Sequence, residues 1–212
     1  MKEILKDKKL YLYLLVVITF FGIFISMNYS VDTYLLLASP KMGYIREFIS
    51  SGRIITSLFF LIMGVLHLPH YLMYLMSFIL AITITTLTIY ELNSVLEKYI
   101  KNKLLALLLP ILIIINPFVI ELWLFIEMGI MMLSIFACVK AYKHFDSYLL
   151  TKDKKEIKNI FIYMLLAVFS YQGTLAIFIA LCAYSTIKQS KNIKEFINVI
   201  FIYSSYDNTT KC

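Results

Sequence analysis

The chain alternates between long apolar runs and short polar segments, and its first run predicts a membrane-spanning helix. Residues 10–27 are almost entirely apolar and follow four lysines within residues 2–9. A run of this length is able to cross the roughly 30 Å hydrocarbon core of a bilayer. A signal peptide begins in a similar way, but no small-x-small cleavage site follows the run. We predict an uncleaved first span with a cytoplasmic N-terminus.

Two apolar pieces of unequal length follow the first polar loop. Residues 54–66 and 71–90 are separated by the tetrapeptide His67-Leu68-Pro69-His70. The second piece is long enough to span, whereas the first falls short of the roughly 17–25 residues that a span needs. We expect residues 54–66 to form a half-inserted juxtamembrane helix at the outer face, and residues 71–90 to form the second span.

The distribution of positive charge supports this topology. Most of the 20 Lys and Arg residues fall in four segments, which are residues 2–9, 98–103, 140–158 and 188–194. Lysine-rich loops mark the cytoplasmic side of membrane proteins. All four segments lie on that side only if residues 54–90 cross the membrane once.

Further apolar runs extend the prediction to about six spans and one domain. The last apolar run, residues 196–203, is too short to span. We therefore expect residues 1–204 to be one all-α polytopic membrane module, the N-terminal part of a longer fold that is truncated here, and residues 205–212 to be a polar tail. The four remaining spans are predicted at residues 104–118, 128–142, 160–170 and 174–187.

Composition agrees with a membrane protein and excludes several other classes. The chain is 61% hydrophobic and only 16% charged, against about 25% charged in globular proteins. Its net charge of +7 is spread over loops rather than concentrated in a patch, so we predict no nucleic-acid partner. The three cysteines form no Cys-x-x-Cys or Cys/His cluster, which gives no indication of zinc or a disulfide framework.

The predicted topology gathers unusual polar residues at the outer ends of spans. Ionisable groups at membrane level cost about 2.5–3.5 kcal/mol each and tend to be functional. His67 and His70 are spaced for metal ligation, but interfacial histidines beside a proline turn are the commoner case. Glu121 and Glu127 lie roughly 120° apart around one ideal helix, so they cannot share a face as a paired site. We predict no cofactor; a divalent metal stays open as an alternative that the sequence does not indicate. The gathered residues are Asp32, Arg46, Arg53, His67, His70, Asn116, Glu121, Glu127 and Gln172.

Several of these residues have structural alternatives. Arg46 and Arg53 are the only arginines of the chain, and a guanidinium offers a planar fork for phosphate oxygens. Arg46 is also explained by a solvated helix face or a headgroup anchor, and Asp32 by a solvated loop or a helix N-cap. Trp123 fits the aromatic belt of the membrane interface, with sugar stacking as the alternative.

In their order and spacing, four motifs resemble the GtrII-type glucosyltransferase family of bacterial membranes. The resemblance covers most of residues 10–190 and implies a GT-C-like helical bundle. Proteins of this class carry a catalytic Asp in the first outer loop and use polyprenyl-phosphate sugars. The motifs are Asp32-Thr33-Tyr34, then Ser51-Gly52-Arg53, then Asn116-Pro117-Phe118 with Glu121 and Glu127, and finally Tyr171-Gln172.

The resemblance implies a function and a role for each residue. Asp32 becomes the general base, and Arg53 with Arg46 holds the donor phosphate. The expected substrate-binding residues are Glu121, Glu127, Asn116, Gln172 and Trp123. The implied activity is transfer of a hexose, glucose in the family, from a polyprenyl-phosphate donor to a cell-surface glycan or lipid-linked acceptor.

The implied location is the cell membrane, in contact with the lipid bilayer and with the Asp32 loop outside. Two alternatives stay open: a non-enzymatic transporter or flippase for a lipid-linked sugar, and an inactive truncated remnant.

Overall fold

The computed structural model describes residues 7–26 and 41–189, and within these ranges the chain is helical with no strand. The all-α prediction is confirmed for this part of the chain. The helices are α1 (Lys8–Phe21), which continues as a 3-10 segment (Gly22–Ser26), α2 (Lys41–Ser50), α3 (Ile54–Val65), α4 (His70–Leu96), α5 (Lys103–Ile114), α6 (Pro117–Leu122), α7 (Met128–Thr151), α8 (Lys154–Ser170), a 3-10 turn (Gln172–Thr174) and α9 (Leu175–Gln189).

Helices α4 and α7 pack along each other and form the centre of the bundle. Gly129 permits their close approach, because a Cβ atom at this position would lie 2.7 Å from the Ser77 carbonyl oxygen. The Gly129 N–H donates to Ser77 Oγ over 3.0 Å, which links the start of α7 to α4. Helices α1 and α5 pack on α4, while α8 and α9 pack on α7. Helix α3 contacts both α2 and α8.

Side-chain caps define where several helices begin. The Asp7 carboxylate accepts the Lys9 N–H over 2.9 Å at the start of α1. Asn102 accepts two backbone N–H groups at the start of α5, and the Asp153 carboxylate accepts the Lys155 N–H at the start of α8. Such caps satisfy amides that have no partner within the helix.

The predicted helix boundaries hold in some places and shift in others. The short helix expected at residues 54–66 is α3, which ends at Val65. The run expected at residues 104–118 is instead divided into α5 and α6, because Asn116 caps a new helix at Pro117. Helix α7 continues to Thr151, well past the predicted end at residue 142.

Within residues 7–26 and 41–189, two segments are long and apolar enough to cross a membrane, namely Lys8–Ser26 and His70–Leu96. Ile54–Val65, Lys103–Ile114 and Gln172–Thr186 are shorter apolar helices. The bundle also carries large apolar side chains on its exterior, including Leu15, Leu112 and Phe161, each more than 60% exposed. Exposed apolar surface of this kind marks contact with a membrane or another protein. The topology of about six spans, with its orientation, stays a prediction.

Candidate functional site

Three segments that are distant in sequence meet at one end of the bundle. The first is the turn Ser51-Gly52-Arg53 between α2 and α3, and the second is Glu127, directly before α7. The third is the turn Tyr171-Gln172 between α8 and α9. The structure therefore brings together three of the residues singled out from the sequence, Arg53, Glu127 and Gln172.

Arg53 is the central side chain of this site. Its Nη1 atom lies 3.4 Å from Glu127 Oε1, and the Arg53 and Glu127 side chains are 26% and 2% exposed. The guanidinium carbon lies 4.7 Å from the centre of the Tyr171 ring, a cation–π arrangement. Arg53 Nε is buried and has no acceptor among the described residues. The guanidinium is thus held in place on two sides while part of it stays open to solvent.

The turn that presents Arg53 requires glycine. Gly52 has a φ of +77°, and a Cβ atom there would lie 3.0 Å from Gln172 Nε2. Gln172 Nε2 donates to the Ser51 carbonyl oxygen over 3.3 Å. The Arg53 N–H donates to the Phe48 carbonyl oxygen over 2.9 Å and closes the end of α2. Backbone geometry and the Gln172 amide together fix the direction in which Arg53 leaves the chain.

Buried hydroxyl groups hold the Tyr171 turn against its neighbours. Ser134 Oγ, on α7, lies 2.9 Å from the Tyr171 carbonyl oxygen and 2.5 Å from Thr174 Oγ1. Thr56 Oγ1, on α3, donates to the Ser170 carbonyl oxygen over 3.1 Å. Sequence reasoning missed these residues, and the only available signal was a small hydroxyl residue inside an apolar run.

The other predicted site residues that the structure describes are exposed or serve the fold. Arg46 on α2 and Glu121 on α6 have exposed side chains. The side-chain amide of Asn116 bonds to the adjacent backbone through both of its polar atoms. Its oxygen accepts from the Val119 N–H over 3.1 Å, and its nitrogen donates to the Ile113 carbonyl oxygen over 2.7 Å. Asp32 lies outside the described residues.

Trp123 belongs to the core of the bundle. Its side chain is fully buried, and its ring stacks on Phe21 with centroids 4.1 Å apart and planes 10° apart. Phe78 meets the same ring edge to face at 5.9 Å. The Trp123 ring therefore contacts protein rather than an open cleft.

No group of three or more His, Cys, Asp or Glu side chains comes close enough to hold a metal within residues 7–26 and 41–189. Glu121 and Glu127, considered above as a pair, belong to separate elements, with Glu121 exposed and Glu127 buried. His67 is exposed and adopts a φ of 52° in the turn before α4.

A second charged layer lies at the opposite end of α4 and α7. Glu91 accepts from Lys140 Nζ over 2.6 Å and from Lys143 Nζ over 2.7 Å, which links the two central helices. Asp146 is fully buried, accepts from the Tyr99 hydroxyl, and lies 3.5 Å from Lys98 Nζ. Lys140 and Lys143, which the charge distribution places in a cytoplasmic loop segment, are thus helical residues of α7 that pair with Glu91.

We expect Gly52→Ala to lower the free energy of unfolding by about 1–2 kcal/mol, because an L-residue is strained at positive φ. Gly64→Ala provides the control, since nothing lies within 4 Å of its added Cβ and it sits inside α3. There the substitution should be neutral or stabilising, by up to about 1 kcal/mol. Thermal unfolding in detergent measures the stability of both variants. Equal stability changes in Gly52→Ala and Gly64→Ala would contradict a strained backbone at Gly52.

The arrangement offers one anchored, partly exposed guanidinium beside a buried carboxylate and an amide. Such a group suits a phosphate or carboxylate ligand, because its planar fork pairs with two oxygens. Comparison of the chain with models of known protein families, with curated proteins and with solved structures finds no match.

Proposed function

We propose that the chain is a membrane glycosyltransferase that moves a hexose, glucose by its resemblance, from a polyprenyl-phosphate donor to a glycan or lipid-linked acceptor. The observation that carries the proposal is the placement of Arg53, which Glu127 and Tyr171 hold at the predicted outer end of the bundle. An arginine fixed in this way is suited to the phosphate of a lipid carrier.

In the proposed reaction, an acceptor hydroxyl oxygen attacks the anomeric carbon of the donor sugar. The bond from that carbon to the phosphate oxygen breaks, and the polyprenyl phosphate leaves with the bonding electron pair. Arg53 offsets the negative charge that develops on the departing phosphate. Preorganised donors of this kind are worth about 10²–10³ in rate.

Asp32 completes the proposal as the general base that takes the proton of the acceptor hydroxyl. Its role comes from the resemblance, in which the catalytic Asp follows the first span. In sequence it lies between α1 and α2, and the turn after α2 carries Arg53. In the proposed step, Asp32 accepts the hydroxyl proton while the acceptor oxygen attacks the anomeric carbon.

A second candidate function is supported by the burial of Glu127. This side chain is 2% exposed and faces the interior of the bundle. Buried ionisable residues of membrane proteins often line transport pathways. The alternative is therefore a non-enzymatic transporter or flippase for a lipid-linked sugar, in which Arg53 and Glu127 bind the phosphate during translocation.

The proposal predicts that Arg53→Lys weakens donor binding by about 10–100-fold. Lysine keeps the charge but loses the fork and the stacking on Tyr171, and hydrogen bonds to charged groups contribute about 1.5–3 kcal/mol. Purified protein in detergent is titrated with radiolabelled polyprenyl-phosphate glucose, and transfer to cell-envelope acceptor is measured in parallel.

Arg46→Lys makes the same substitution on an exposed face of α2. We expect a smaller loss of donor affinity there. A larger loss in Arg46→Lys than in Arg53→Lys would show that Arg46, and not Arg53, is the main phosphate-binding residue. Donor binding without transfer by the wild type would overturn the enzyme proposal in favour of transport.

A further inference from the structure

A cleft of about 750 Å³ opens at the end of the bundle opposite Arg53. It lies between the beginnings of α1 and α5, where both helices pack on the last turns of α4. The start of α1 is fixed there by an ion pair between Lys9 and Glu97 and by a 3.1 Å hydrogen bond from the Tyr90 hydroxyl to Asp7. The volume is within the range of small-molecule sites, about 300–1,000 Å³.

The rim of the cleft is strongly basic. Among the lining residues that the structure describes, four are lysines and one is a carboxylate, Glu97, which pairs with Lys9. The other three lysines, Lys8, Lys101 and Lys103, have exposed side chains. A rim with this excess of positive charge favours an anionic ligand, and lysine ammonium groups bind phosphate as point charges.

The interior of the cleft is apolar. On each of the two helices that line it, a lysine and a leucine lie one helical turn apart. On α1, Lys8 and Leu12 both line the cleft and are four residues apart. On α5, Lys103 and Leu107 repeat the same spacing. Residues four apart lie one above the other on a helix face, so each helix places an ammonium group at the rim and a leucine below it.

Exposed apolar side chains continue this row on α1 and form a neighbouring apolar stripe on α5. Leu15 lies one turn beyond Leu12 and is 62% exposed, and Leu108 on α5 is 43% exposed. A small soluble phosphate would leave this apolar surface uncovered, whereas an acyl chain would pack against it. The ligand that matches both the rim and the flanks is therefore an amphiphile with an anionic head.

We propose that this cleft binds the phosphate headgroup of an anionic phospholipid, with its acyl chains along the apolar faces of α1 and α5. Basic pockets between helices at the membrane surface are suited to such headgroups. The site lies at the lysine-rich end that the charge distribution predicts to be cytoplasmic, away from the Arg53 site. The proposal does not depend on glycosyl transfer.

The test is lipid binding to the purified full-length chain in neutral detergent, followed by native mass spectrometry and thermal unfolding. The probes are dioleoyl phosphatidylglycerol, dioleoyl phosphatidylcholine and soluble glycerol 3-phosphate. We expect the wild type to bind phosphatidylglycerol at least about tenfold more tightly than phosphatidylcholine, and glycerol 3-phosphate to compete weakly.

The triple variant Lys8→Gln/Lys101→Gln/Lys103→Gln should lose this preference. The matched control is Lys154→Gln/Lys155→Gln/Lys158→Gln, which removes the same charge from exposed positions of α8 and should retain the preference. If the two triple variants lost the preference for phosphatidylglycerol equally, nonspecific charge attraction would explain it, and the proposed site would be contradicted. Full displacement of lipid by equimolar glycerol 3-phosphate would overturn the lipid assignment.

Folding of the triple variant is checked by its melting temperature in lipid-free detergent. If it fails to fold, the single variants Lys101→Gln and Lys103→Gln replace it, and each should lose part of the preference. Single variants that bind phosphatidylglycerol as tightly as the wild type would contradict the proposal.

Discussion

Asp32→Asn is expected to lower hexosyl transfer by about 10²–10⁴-fold while the polyprenyl-phosphate donor still binds. Asparagine has nearly the shape of aspartate but cannot accept the proton of the acceptor hydroxyl. The substitution changes neither Arg53 nor its partner Glu127, so the proposed donor-phosphate contacts are expected to remain. Purified wild type and variant are each given radiolabelled polyprenyl-phosphate glucose with cell-envelope acceptor, and donor affinity is measured separately.

The control for this substitution is Asp153→Asn, a change of the same kind at the cap of α8. Asparagine caps a helix about as well as aspartate, so stability and transfer should both be retained. Loss of donor binding together with transfer in Asp32→Asn would contradict the role of a base, because a base acts in the chemical step. Transfer at the wild-type rate in Asp32→Asn would exclude Asp32 as the base.

The transport alternative predicts a different outcome for the same pair of proteins. Neither the wild type nor Asp32→Asn would form product, although both would bind donor. Wild-type protein in liposomes would instead move the lipid-linked sugar between leaflets, and Glu127→Gln would slow that movement because it removes the buried charge. Product formation by the wild type alone would decide for the enzyme.

The helices could be predicted from sequence largely because apolar runs end at polar caps and turns. Helix α3 follows the apolar run from Ile54, and its end differs by one residue from the prediction. The end of α7 could not be predicted from hydropathy, since Lys140 and Lys143 interrupt the apolar pattern. Their pairing with Glu91 on α4 is a tertiary contact, which hydropathy along the chain does not show.

The candidate site was predictable only in part. The topology placed Arg53, Glu127 and Gln172 at span ends on the same side, and the structure brings these three together. Asn116 has a polar side chain at a span end as well, but its amide is used by the adjacent backbone. Only three-dimensional packing distinguishes a residue that serves a helix end from one that faces a site.

The two proposed sites lie at opposite ends of the bundle, and each offers positively charged side chains to a phosphate group. Arg53 lies where the helix starts of α3 and α7 meet, and the lysine-rich cleft lies where α1 and α5 begin. Taken together, the two proposals describe a protein that would act on lipid-linked substrates at one surface and bind anionic lipids at the other.

Trp123→Ala is expected to lower the free energy of unfolding by about 3–5 kcal/mol, the usual cost of truncating a large buried aromatic side chain. The ring fills the space between Phe21 and Phe78, which belong to α1 and α4. Its loss removes the stacking contact that joins the short α6 segment to these helices. Phe118→Ala is the control within the same segment, because Phe118 is 43% exposed and its truncation should cost much less.

Trp123→Phe then separates a packing role from sugar stacking. Phenylalanine retains a ring against Phe21 and also removes Trp123 Nε1, which is buried without an acceptor among the described residues. We therefore expect a smaller loss of stability than in Trp123→Ala and unchanged donor affinity. Unchanged stability with a marked loss of donor affinity would place the ring in the substrate site after all, because a stacking surface acts on the sugar and a core ring acts on the fold.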